Sequence, residues 1–304
     1  MLIDTHAHIN FNAFKDDGEE VLKRTLEAGM QVIMPGSQYS TSKRAVEIAE
    51  RYEQGVYAAV GLHPIHIGEQ RKVDVLEVQS SLDFARAFGS EAQARRDKQS
   101  WEEFETRAEE FDYEAYKKLG QSKKTVAIGE IGLDYYYFPK SKARREEIMQ
   151  KQKAALQAQM DLADELGLPV ILHCRVAHED LLEFLASRFT FHASGIKGVV
   201  HSYTGTAEQA QKFMDLGLYL GFNGLILKNV PALPNPRELI TSIPLERIVL
   251  ETDSPYLTPP KTPKERNEPL FLQYVAEEIA RIKKVSFEEV AKQTTENAKK
   301  LFTV

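Results

Sequence analysis

Eight short apolar segments, rich in β-branched and aromatic residues, recur along the chain: Leu2–Ile3, Gln31–Pro35, Val56–Leu62, Thr125–Ile131, Pro169–His173, Gly198–His201, Leu218–Phe222 and Arg247–Glu251. Most lack polar/apolar alternation, so they read as strands buried on both faces, the pattern of a parallel sheet. Helical patterns lie between them. Ala45, Ile48, Ala49 and Tyr52 are spaced i, i+3, i+4, i+7, and Met149, Leu156, Met160 and Ala163 form another stripe. Thr206 with Gln209 reads as a capping box, and Gly29 and Gly167 stand where helix C-caps belong. Two more helical segments follow the last strand, one around Leu270–Ile282 and one opened by Ser286 with Glu289. Strand–helix alternation repeated eight times predicts an α/β fold, a single (β/α)8 TIM barrel. The alternative is an open doubly wound sheet, but no Gly-rich fingerprint follows the first strand.

A length of 304 residues, 42% hydrophobic and 28% charged, suits one barrel domain spanning residues 1–304. The net charge of −6 gives no strong basic field, so a nucleic-acid substrate needs a local basic patch or cations in the site. A lone cysteine, Cys174, excludes an intrachain disulfide and fits a reducing compartment. Polar residues at Asp4, His6 and His8 argue against a signal peptide, and no apolar run reaches the ~20 residues that span a bilayer. A cytoplasmic location is expected, with no membrane partner, and nothing demands more than a monomer. About 60 residues separate the third and fourth strands, against the usual short loops plus one helix. Ser100 and Glu103 suggest a capping box there. Trp101, Phe104, Ala108, Phe111, Ala115 and Leu119 then follow helical spacing, as a lengthened third helix. The rest, about 67–99, reads as a helical insertion on the barrel rim, a decoration in the favoured reading and a lid or partner surface in the competing one.

Chemistry in such barrels sits at the C-terminal ends of the strands. The first strand runs into His6 and His8, whose i, i+2 spacing puts both rings on one face. The third ends at His63, the fourth at Glu130 and Asp134, the fifth at His173 with Arg175 beyond, the sixth at His201 and the eighth at Glu251-Thr252-Asp253. One histidine after a strand is usually structural; convergence of all these at one mouth is not readily chance. His66, His178 and His192 lie outside strand ends and are expected at the surface. Cys174 is expected to pack as a small hydrophobe. Asp4 is expected deeper in the barrel, as a partner of ligands rather than a ligand. His6, His8, His173, His201, Glu130 and Asp253 offer mixed N/O ligation suited to Zn²⁺ or Mn²⁺, or to Mg²⁺ where carboxylates and water dominate. These are too many ligands for one catalytic metal with an open position, and about right for two divalent ions sharing a carboxylate, with Glu130 as the expected bridge. Such a pair lowers the pKa of a bound water toward about 7 and stabilises the attacking and leaving oxygens of phosphoryl transfer. Asp253 is the candidate acceptor for the water's proton.

The segments "LIDTHAHIN", "VGLHP", "AIGEIGLDYY", "PVILHCRVAHED", "VVHSYTG", "LETDSPYL" and "RNEP" together resemble the successive motifs of TatD-type metal-dependent deoxyribonucleases. The likeness covers nearly the whole chain in the same order, and departs from the family in the long segment before Thr125. It implies an amidohydrolase-type barrel that cleaves phosphodiesters in DNA, expected as a 3′→5′ exonuclease on single strands or accessible 3′ ends. By this resemblance His6, His8, Glu130 and Asp253 hold one metal, and Glu130, His173 and His201 the other. His63 is implied near the substrate or beside the metals rather than as a main ligand, Arg175 as a phosphate contact and Tyr203 as a further substrate contact. Asp134 and Tyr135 either touch substrate or shape the site. Glu251, expected on the same strand face as Asp253, orients a histidine or pairs with a cation. Asn267 and Glu268 are expected to be structural or a rim anchor.

Two other functions compete. Small-molecule hydrolases on this scaffold, cleaving lactones or phosphoesters, often bridge their metals with a carbamylated lysine. Here the fourth strand carries Glu130, and Lys123–Lys124 lie at its wrong end. A non-catalytic metal-binding scaffold is disfavoured because every ligand type is present.

Overall fold

The structure, a computed structural model, describes residues 1–68, 71–73, 104–106, 108–189, 195–228, 230, 233–260, 262 and 266–304. Among the described residues there are ten strands: β1 (Leu2–Asp4), β2 (Met30–Pro35), β3 (Val56–Val60), β4 (Arg71–Val73), β5 (Phe104–Thr106), β6 (Thr125–Asp134), β7 (Val170–Arg175), β8 (Gly198–Val200), β9 (Tyr219–Phe222) and β10 (Ile248–Leu250). Eight pair in parallel in the order β1-β2-β3-β6-β7-β8-β9-β10, matching the eight predicted segments. The sheet's two edges meet. Thr5 N–H donates to Leu250 O at 3.0 Å, Asp253 N–H to His6 O at 2.8 Å, and Ala7 bridges Ser254 in parallel. The result is the expected (β/α)8 barrel, nearly closed.

Helices α1 (Gly18–Glu27), α2 (Tyr39–Ala49), α3 (Tyr113–Gly120), α4 (Lys142–Leu166), α5 (His178–Phe189), α6 (Ala207–Asp215) and α7 (Pro236–Ser242) connect the strands, and α8 (Leu272–Lys283) and α9 (Phe287–Phe302) follow β10. The Thr206/Gln209 capping box opens α6, and Gly167 closes α4 at φ 66°. Among the described residues, no helix is long and apolar enough to cross a membrane.

Residues from all eight barrel strands, including Ile3, Ile33, Ile171 and Val249, cluster with Ala298, Leu301 and Phe302 of α9. Asn297 donates to Leu245 O and Ile248 O, and Thr295 to Met1 O, so α9 sits under the N-terminal ends of the strands. This apolar plug closes the floor and leaves the C-terminal mouth for polar residues.

The lengthened third helix does not form. Phe104–Thr106 is a strand paired antiparallel with Arg71–Val73, and α3 starts only at Tyr113, where Asp112 accepts Ala115 N–H at 3.1 Å. Upstream of that cap, the apolar run is too short to separate a helical period from an extended one. Ile67, at the start of the predicted insertion, is buried in the core. Most of that insertion, with Ser100, Trp101 and Glu103, lies outside the described residues.

Two details of the frame aim the site. Ile128 pairs with Val170 but Ile131 with Leu172, so β6 carries one extra residue, a bulge around Glu130. On α4, Gln159 accepts Leu62 N–H at 2.7 Å and donates to Leu62 O at 3.1 Å. Gln152 accepts Asp134 N–H at 3.0 Å and donates to Pro64 O and Asp134 O. These two buried amides pin the ends of β3 and β6 beside His63 and Glu130.

Candidate metal centre

Glu130 stands at the centre of the mouth. Its Oε2 lies 3.3 Å from His6 Nε2 and 3.9 Å from His8 Nε2. Its Oε1 lies 2.8 Å from His173 Nδ1, 3.3 Å from His63 Nε2 and 3.7 Å from His201 Nε2. One carboxylate thus faces a separate set of histidines with each oxygen. Asp253 Oδ1 joins the first set, 3.4 Å from His8 Nε2 and 3.8 Å from His6 Nε2. His6 and His8 lie past the end of β1, flanking Ala7 at its bridge to Ser254, and their Nε2 atoms are 3.1 Å apart.

Burial drives the His6 imidazole down to about 4, with His201 adding to the effect, so it is neutral at physiological pH. Burial opposes charge on Glu130 and Asp253 as well, yet the surrounding histidines hold both below the usual carboxylate range. Burial is overcome at His173 and His201 too: Asp134 and Glu130 raise the first to about 9, and Glu251 and Glu130 raise the second to about 10. Nitrogen and ionised oxygen donors converging in a buried place form a donor set for a divalent cation. His8 Nδ1 faces Pro35 O at 3.2 Å, which turns Nε2 inward as the lone-pair nitrogen. His6 Nδ1 is buried without a hydrogen-bond partner among the described residues, so the ring's polar contacts run through Nε2. The residues present therefore fit a metal.

His63 is arranged differently. Its Nδ1 accepts Ile65 N–H at 3.0 Å, so in the neutral ring the proton sits on Nε2 and points at Glu130. His63 therefore touches Glu130 itself, the second of its two expected places.

A surrounding layer holds these groups. Glu251 Oε1 lies 3.0 Å from His201 Nδ1 and accepts Ser202 N–H at 2.6 Å and an N–H of Asn223 at 3.3 Å. It fits only because residue 221 is glycine: a Cβ there would collide with the Glu251 carboxylate. Asp134 Oδ2 lies 3.1 Å from His173 Nε2, and Oδ1 accepts Tyr136 N–H at 2.9 Å. Asp4 accepts His6 N–H at 3.2 Å, Thr252 N–H at 2.9 Å and the Thr252 hydroxyl at 2.6 Å. It clamps backbone across the β1/β10 seam and touches neither imidazole. Glu251 and Asp253 do not share a strand face. Both lie past β10, and Asp253 has a left-handed backbone, φ 56°, which breaks the two-residue alternation. Asn267 steadies that turn by donating to Thr252 O at 2.9 Å and Tyr256 O at 2.6 Å, while Glu268 pairs with Arg24 at 2.8 Å.

The expected substrate contacts divide. The Arg175 guanidinium carbon lies over the Tyr136 ring, 3.7 Å from its centroid. Tyr135 turns away and donates to Asp180 at 2.8 Å; Tyr203 is buried and donates to Thr206 O at 2.7 Å. Neither hydroxyl joins the cluster. Cys174 packs in the core as expected. His66 is buried, contrary to its expected surface place, because a short 3-10 turn folds it back against the barrel next to His63. His178 is half-buried beside Tyr203, and His192 lies outside the described residues. Sequence reasoning missed Asn223, Gln152, Gln159 and Tyr256, whose ring lies 6.1 Å from His8. The two glutamines do leave a trace, as polar residues seven apart beside the apolar stripe of α4.

A (β/α)8 barrel with this histidine–carboxylate mouth defines a class, the metal-dependent barrel hydrolases. Within it the chain belongs to the TatD related DNase family, whose model matches residues 3–303. It is 36% identical over 306 residues to the uncharacterized metal-dependent hydrolase YabD of Bacillus subtilis (strain 168), covering 100% of both chains. It is 31% identical over 306 residues to the 3′-5′ ssDNA/RNA exonuclease TatD of Pantoea ananatis (strain LMG 20103), covering 99% of each. Its fold matches that of YjjV, a TatD homologue from Escherichia coli K12, with a TM-score of 0.71 and 30% identity, covering 100% of this chain and 98% of that one.

Proposed function

We propose that this protein is a 3′→5′ exonuclease on single-stranded DNA, working as a cytoplasmic monomer built as one barrel domain with a rim insertion. The observation that carries the chemistry is Glu130, with histidines facing each of its two oxygens. The family, and the nucleic-acid activity in the name of the Pantoea relative, support the substrate class. His6, His8, Glu130 and Asp253 are assigned to one divalent cation, and Glu130, His173 and His201 to the other. When bound, the cations lower the pKa of a water toward about 7 and offset phosphate charge, which fits a protein of net charge −6. Asp253, held ionised, accepts the proton of the attacking water. His63 steadies Glu130 through its Nε2–H. Arg175, held over the Tyr136 ring, presents its N–H fork to a phosphate oxygen. Asp134 frames His173 from the far side of the ring.

The test is a gel of 5′-end-labelled single-stranded DNA with Zn²⁺, Mn²⁺ or Mg²⁺, run beside a panel of lactones and small phosphoesters. The expected result is a metal-dependent ladder shortening from the 3′ end. Intact DNA under all three metals, with turnover of a lactone, would overturn the reading.

A further inference from the structure

Val176 is unusual in two independent ways. It is 56% exposed, and among the described residues the only other exposed large hydrophobic side chains are Met1 and Tyr39. Its backbone is left-handed, φ 57°, a conformation that a β-branched side chain disfavours and that glycine or asparagine accepts. Strain of this kind persists where the surroundings impose it and tends to gather at binding sites. Ala177, the next residue, and Cys174, two residues before, are buried, so the turn is fixed while Val176 faces out.

The setting is chemically specific. Val176 follows Arg175, the last residue of β7, three positions beyond His173. Asp134 pairs with Arg175, and Tyr135 N–H donates to Arg175 O at 2.9 Å, which brings Tyr136 and Tyr137 alongside. The Arg175 guanidinium stacks on Tyr136 and donates to the Tyr137 hydroxyl at 3.4 Å. The Arg175 fork thus lies with two aromatic rings at the C-terminal end of β7, and the next residue along the chain is the exposed Val176. A nucleotide in a single strand has the complementary parts: an anionic phosphate and a base whose face is not covered by a pairing partner.

Resting on the nucleic-acid reading above, we infer that Val176 packs against a nucleobase of the bound single strand, beside the phosphate received by Arg175, and that its strained backbone is kept because it turns the isopropyl group over the mouth. Arg175 supplies charge without base selectivity; Val176 supplies the contact that requires a base.

The experiment compares the wild type with Val176→Gly, Val176→Asn and Val176→Ile. Two nuclease-resistant phosphorothioate single strands are titrated by fluorescence anisotropy: an intact strand, and the same strand with abasic residues at its 3′ end. Thermal melting is followed in parallel. Val176→Gly and Val176→Asn are expected to weaken binding of the intact strand by roughly three- to tenfold. They should leave the abasic strand unchanged, and Val176→Asn should raise Tm by relieving the backbone. Val176→Ile should keep wild-type affinity for both strands. Equal losses on both strands, or no loss with a lowered Tm, would overturn the role of Val176 alone. A wild type that binds neither strand would remove the nucleic-acid reading, and this inference with it.

Discussion

Glu130 is the residue on which the site turns, because its two oxygens face different histidines. If Glu130 bridges two cations as proposed, Glu130→Ala should release both and lower kcat on the order of a thousandfold or more. His63→Ala, which removes a group that steadies the carboxylate, should lose only about 10- to 100-fold. Metal content and kcat measured on the two variants would separate them; equal losses would count against the bridging role. Asp253→Asn should keep the fold and lower kcat by roughly a hundred- to ten-thousandfold as proton acceptance is lost. At this scale the residues that meet at the mouth were legible in the sequence, because polar residues at the ends of apolar strands have few structural explanations. Side-chain direction was not. Tyr203 and Tyr135 sit in the right motifs, yet their hydroxyls donate to Thr206 and Asp180. His66 looked peripheral because nothing in the local pattern shows that a 3-10 turn folds it inward.

Among elements, the barrel strands were readable because strands buried on both faces are continuously apolar. The positions of His6, His8 and Asp253 beyond the strand ends were not, since pairing across the β1/β10 seam and a left-handed residue lie outside any two-residue period. The segment before α3 failed for a similar reason: Asp112 is a start signal inside a stretch that already fits helical spacing. The grip of α4 on the mouth makes a prediction at this scale. Gln159→Ala leaves Leu62 N–H and O buried without their partners. Each such group costs about 1–3 kcal/mol, so chemical denaturation should show a loss of that order, with kcat falling as His63 loosens. Unchanged stability would show that the amide contacts are replaceable.

For the molecule as a whole, the buried charges couple metal uptake to pH. Without metal, His173 and His201 hold protons up to about 9 and about 10, against 6.5 for a free imidazole. Their charged form therefore stabilises the metal-free protein at neutral pH, and that contribution is lost as pH rises through 9 to 10. With His173 and His201 as ligands in the proposed site, cation binding displaces these protons, so affinity should rise with pH between 6 and 9, and calorimetry in buffers of different ionisation enthalpy should detect proton release. A pH-independent affinity would contradict this. The most direct test of the two-cation site is an anomalous-scattering map from crystals grown with Mn²⁺. The account predicts two peaks, one on the His6/His8/Asp253 side of Glu130 and one on the His173/His201 side. A single peak, or peaks away from the Glu130 carboxylate, would contradict it.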